Sequence, residues 1–101
     1  MDTEKTETVL QYYALGVVCA RARLYAKNAY TPHLQDLVEK RPLSAFNKIM
    51  SRLKKGSDAQ YKDEQLAKAI GVISSMKLSN ERMSGEQLFH FNIGLLKKGA
   101  V

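Results

Sequence analysis

Residues Arg41 to Gly56, RPLSAFNKIMSRLKKG, read as one helix with two chemically different faces. At about 100° per residue, Leu43, Phe46, Ile49, Met50 and Leu53 share one arc, while Arg41, Lys48, Arg52 and Lys55 gather on the far side. Pro42 suits the first helical position, where its missing N–H removes no hydrogen bond, and Gly56 stands where a left-handed cap would end the helix. Such a helix docks on a core by one side. The other side is either a solvated charge face or a seat for something anionic.

Upstream, Thr31-Pro32 reads as an N-cap and first-turn proline opening a short helix to about Lys40. A longer helix precedes it, capped by Thr3 or Thr6, with Asp2, Glu4 and Glu7 complementing its dipole, and runs to about Asn28. Val9, Leu10, Tyr13, Val17, Ala20 and Leu24 recur there at helical spacing and are expected to face the core; Tyr12, Leu15, Val18 and Tyr25 widen the apolar surface. That breadth points to several neighbours, to self-association or to docking on another protein.

Downstream, Ser57 or Asp58 can cap a fourth helix with an inner face of Tyr61, Leu66, Ala67, Ile70, Ile73 and Met76, ending about Lys77. Its other side carries Lys62, Asp63, Glu64 and Lys68. Asp63-Glu64 reads as a solubilising pair, because adjacent helical residues diverge too far to share a site. A loop from Leu78 to Met83 leads to Ser84-Gly85-Glu86-Gln87, which has the form of a capping box and opens a last helix to about Lys98. Leu88, Phe91 and Leu95 form its apolar row, and Gly94 implies close approach of another helix. No segment alternates like a half-buried strand. The expected fold is all-α: residues 1–101 as a single compact bundle of about five helices.

The 101 residues carry 16 Lys plus Arg against 10 Asp plus Glu, a net charge of +6, which favours an anionic partner. No apolar run is long enough to span a bilayer and the acidic opening is the reverse of a secretion signal, so the expectation is a cytoplasmic protein with no membrane partner. Cys19 is the only cysteine and reads as a small buried hydrophobe. His33, at the start of a short helix, reads as exposed and His90 as lying at the core edge. Neither has a second ligand at helical metal-site spacing. No nucleophile elbow, phosphate loop or dinucleotide fingerprint occurs. These readings predict no enzyme, no metal and no cofactor.

Leu66-Ala67-Lys68-Ala69-Ile70-Gly71-Val72 copies the first half of a helix-turn-helix. A DNA-binding regulator using Leu66 to Met83 is therefore an alternative, although Ile73 stands where a cap should be and Leu78 falls one residue late. A third reading is a small phage or plasmid interaction module.

Three blocks in order resemble the helical C-terminal region of the large subunit of type I-C CRISPR surveillance complexes, a region also made separately as their small subunit. Tyr13-Ala14-Leu15-Gly16 is similar to the start of a long helix there. Arg41 to Phe46, with Ile49, Met50 and Leu53, is similar to a proline-started helix. Met83 to Gln87, with Phe91, Ile93 and Gly94, is similar to the last helix. Val17 departs from the family, which often has arginine there. The resemblance implies a non-enzymatic subunit that packs on the crRNA-bearing filament beside other subunits and holds the displaced single strand of DNA. An inhibitor mimicking that subunit would share the pattern. The cations expected to hold nucleic acid are Lys48, Arg52 and Lys55, with Arg41 and Lys40 at the helix mouth and Arg23 and Lys27 as a second patch.

Overall fold

The apolar periodicities resolve into five helices, in a computed structural model that describes residues 2–56, 63–75 and 77–97, with side chains from Val9 onward except those of residues 55 and 56. They are α1 (Asp2–Tyr25), α2 (Pro32–Lys40), α3 (Pro42–Gly56), α4 (Glu64–Ser75) and α5 (Gly85–Lys97), with no strand among the described residues. The radius of gyration, 12.4 Å, matches the roughly 13 Å of a compact chain of this length.

Helix α1 is the hub, and its inner face differs from the predicted row. Tyr12, Leu15, Val18, Cys19 and Ala22 are buried together with Val17 and Ala20, whereas Leu10 and Leu24, at the two ends of that row, are 45% and 60% exposed. A helix apolar nearly all round has no unique inside, so its neighbours choose. Here the choice is made at a crossing of two glycines. A Cβ on Gly16 would strike the Phe91 carbonyl and lie 2.7 Å from the Leu95 nitrogen; one on Gly94 would strike the Tyr13 carbonyl. The two backbones therefore meet directly, as Gly94 predicted, and each glycine serves the other helix. Thr3 and Thr6 lie inside α1 rather than capping it.

The local start signals of α2 and α5 hold. The Thr31 side chain accepts from the Leu34 N–H at 3.3 Å with Pro32 in the first turn. At α5 the Ser84 hydroxyl accepts from Gln87 N–H at 3.2 Å, while Gln87 Oε1 accepts from Ser84 N–H at 2.8 Å, the reciprocal bonds of a capping box.

Of the predicted arc of α3, Phe46, Ile49 and Leu53 are buried and Leu43 and Met50 half-buried, and Pro42 and Ala45 join them in the core. Its cap is not local. Asn80 Oδ1 accepts from the Ser44 N–H at 3.0 Å across 36 residues of chain, satisfying a first-turn donor that Arg41 leaves open. The Lys77–Ser84 segment is thus a strap over the α2–α3 corner, held further by Met83 N–H on the Glu39 carbonyl at 2.9 Å and by burial of Leu78 and Met83.

Helix α4 corrects three expectations. It starts at Glu64, and Asp63 is its cap, with Oδ1 accepting from Leu66 N–H at 3.0 Å; Ser57, Asp58, Tyr61 and Met76 lie outside the described residues. Its buried face is Leu66, Ala69 and Ile73, with Ala67 exposed. Asp63 is not a solubilising charge: its side chain is 3% exposed, ion-paired to Arg21 Nε at 2.7 Å, and it accepts from the Tyr25 hydroxyl. Burial pushes its carboxyl pKa up, but the Tyr25 hydroxyl, the Leu66 N–H and Arg21 outweigh that and hold it below the usual value.

Candidate nucleic-acid interface

Helix α3 turns its polar side outward because its apolar arc is fully used. Lys48 is exposed and Arg52 half-buried, one turn apart on the same side and about 6 Å apart along the axis. Arg52 Nη1 donates to the Asn28 carbonyl at 2.7 Å, fastening the C-terminal half of α3 to the chain just beyond α1. Lys27, which is exposed, directly precedes Asn28 in the turn that this bond ties to α3. Among the described residues none of Lys27, Lys48 and Arg52 pairs with a carboxylate. The Lys55 side chain lies outside the described residues.

The helix mouth is different. Lys40 pairs with Asp36 at 3.2 Å, and Arg82 with Glu39 at 3.8 Å. Arg41 Nη1 donates to the Asn80 carbonyl at 3.3 Å, so this guanidinium grips the strap. Asp36 thus neutralises Lys40 locally, whereas Arg41, like Arg52, donates to a neutral carbonyl and keeps its charge. Arg23 stands apart, exposed at the rim of a hollow with Ala20, Leu24 and Leu95.

Of the seven predicted cations, Lys48 and Arg52 share one side of α3, Lys27 precedes the turn residue that Arg52 holds, Lys40 and Arg41 stand at the α2–α3 corner, Arg23 lines a separate hollow, and the Lys55 side chain lies outside the described residues. Sequence reasoning missed the Asn28 carbonyl that holds Arg52, since a backbone acceptor in a link leaves no side-chain signal. It also missed Arg21, whose partner Asp63 carries a legible one: an Asp three residues before Leu66 at a helix start.

The helix-turn-helix reading fails on geometry. It needs a turn at Gly71, and α4 runs unbroken from Glu64 through Ser75, followed from Lys77 by the extended strap. His33 is exposed and His90 half-buried beside Phe89, with ring centroids 5.3 Å apart. Cys19 is fully buried, and burial pushes its thiol pKa up. Among the described residues no three His, Cys, Asp or Glu side chains cluster as metal ligands, and no helix is long and apolar enough to cross a membrane. Compared with known proteins, the chain matches no family model, no curated protein and no solved structure.

Proposed function

We propose that this protein is a non-enzymatic nucleic-acid-backbone-binding subunit of a CRISPR-type surveillance complex, holding the displaced DNA strand against the trio Lys27, Lys48 and Arg52. The observation that carries the reading is the polar side of α3, where Lys48 and Arg52 stand one turn apart and, like Lys27 beside the Asn28 that Arg52 holds, pair with no carboxylate among the described residues. Opening a duplex against a guide is nearly balanced in energy, so a few cations along the freed backbone can tip it without reading sequence. The ordered blocks around Tyr13–Gly16, Arg41–Phe46 and Met83–Gln87 supply the link to that class of complex, and in the fold two of them meet at the Gly16–Gly94 crossing.

The test is binding of fluorescent single-stranded and double-stranded DNA across a salt series. Three phosphate contacts on a single strand give a slope of log K against log salt of about −2, so affinity should fall about 20-fold between 50 and 200 mM salt. Lys27→Ala with Lys48→Ala should flatten the slope to about −0.7. A folded protein that binds no DNA at low salt, or binds equally after both substitutions, would refute the proposal.

A further inference from the structure

Helix α5 is apolar on two opposite sides. Phe91 and Gly94 are buried where α5 meets α1 at Gly16, and at about 100° per residue Phe89, Ile93 and Leu96 fall within about 60° of arc on the far side. Phe89 is 61% and Leu96 80% exposed, with Ile93 half-buried between them. Isolated leucines on a surface need no explanation, but an outward row of three large apolar side chains over two turns marks a contact face.

The ends of that row are self-complementary. Glu86 and Lys97 stand at opposite ends of α5, both exposed and both about 60–80° round from Phe89 on the same flank. The midpoint of Glu86 and Lys97 and the midpoint of Phe89 and Leu96 are one residue apart, about 1.5 Å along the axis. A single two-fold axis near Asn92, perpendicular to the helix, therefore satisfies both pairs. It sets Phe89 of each copy against Leu96 of the other, and in an antiparallel pair the same flanks face each other, so Glu86 of each copy meets Lys97 of the other. A parallel pairing brings no opposite charges together, because every side chain then sits level with its own counterpart. Glu86 also has an interaction within its own chain, which a carboxylate can keep while it accepts from a lysine.

From this match we infer that the outward face of α5 pairs antiparallel with the same face of a second copy of the chain, forming an isologous dimer. The three side chains cover far less than the roughly 800 Å² per partner of a stable interface, and each copy carries a charge of +6, so the dimer is a weak one, with a dissociation constant on the order of 100 μM. The face shares no residue with the DNA-binding patch of Lys27, Lys48 and Arg52.

Sedimentation equilibrium of the intact protein from about 10 μM to about 1 mM should show a reversible monomer–dimer equilibrium, with NMR amide shifts over the same range centred on Phe89, Ile93 and Leu96. Phe89→Ser and Leu96→Ser, both at exposed positions and checked for folding by circular dichroism, should each weaken the dimer at least about tenfold, since two buried side chains are lost per pair. Charge reversal tests the orientation. Glu86→Lys and Lys97→Glu should each weaken self-association, and an equimolar mixture of the two variants should restore it, because every facing pair is then again of opposite sign. A protein that stays monomeric at the highest concentration, or a dimer indifferent to both serine substitutions, would overturn the inference. Charge variants that do not recover on mixing would refute the antiparallel arrangement. Monomeric protein whose Phe89 and Leu96 signals move on adding phosphatidylcholine–phosphatidylserine vesicles would reassign the face to a lipid surface.

Discussion

Replacing Gly94 by alanine adds one methyl group at the point where α1 and α5 touch. In a free helix this change stabilises by about 1 kcal/mol, because glycine loses more backbone freedom on folding. At Gly94 the new Cβ would meet the Tyr13 carbonyl carbon at 3.0 Å and the Val17 nitrogen at 3.2 Å, besides striking the Tyr13 oxygen. These are backbone atoms of a buried helix and cannot rotate aside, so the helices must separate and lose packing along the α1–α5 contact. Overpacking by one methyl costs about 1–3 kcal/mol, and contact with backbone puts this site at the upper end. The net effect expected is a loss of about 2 kcal/mol, or about 8 °C in Tm for a chain this size. Gly71 is the internal control: it lies exposed inside α4 with nothing within 4 Å of an added Cβ, so Gly71→Ala should raise stability by about 1 kcal/mol. Thermal and urea unfolding followed by circular dichroism would measure both. Equal stabilisation by the two substitutions would refute the direct α1–α5 contact.

Two other substitutions probe the caps of α4 and α3. Asp63→Asn should destabilise by about 2 kcal/mol at pH 7, since it removes the charged partner of Arg21 while leaving a neutral cap. Because the Asp63 pKa is held below its ordinary value near 4, its contribution is complete above about pH 5 and fades as pH falls through the folded value; the gap between wild type and variant should therefore close in acid, and a gap constant from pH 7 to pH 2.5 would rule out the ion pair. Asn80→Ala removes the cap that the strap supplies to α3 and should cost about 1 kcal/mol, with faster hydrogen exchange at Ser44; unchanged exchange there would show that the cap is not formed.

Helix starts were legible where the partners lie within four residues of one another. Thr31-Pro32, Pro42 and Ser84 to Gln87 act through bonds or backbone angles that the local sequence contains, so α2, α3 and α5 begin where their residues said. The start of α4 was not, because Ser57, Asp58 and Asp63 are all good cap residues, and what distinguishes Asp63 is Arg21 and Tyr25 on α1. The inner face of α3 was legible from its two-sided pattern, and with it the shared face of Lys48 and Arg52. That Arg52 is fastened to the turn after α1 was not, since the bond depends on the Asn28 carbonyl.

The sequence by itself determined that this chain is an all-helical, basic protein with one sharply two-faced helix, because charge is additive and amphipathic periodicity needs no knowledge of neighbours. Only the tertiary structure decided which stripe of α1 faces inward, that Asp63 is buried and Asn80 a cap, and that Leu24 is left beside an open hollow. An apolar surface carries no direction of its own; the crossing of Gly16 with Gly94 supplies one for α1 and α5.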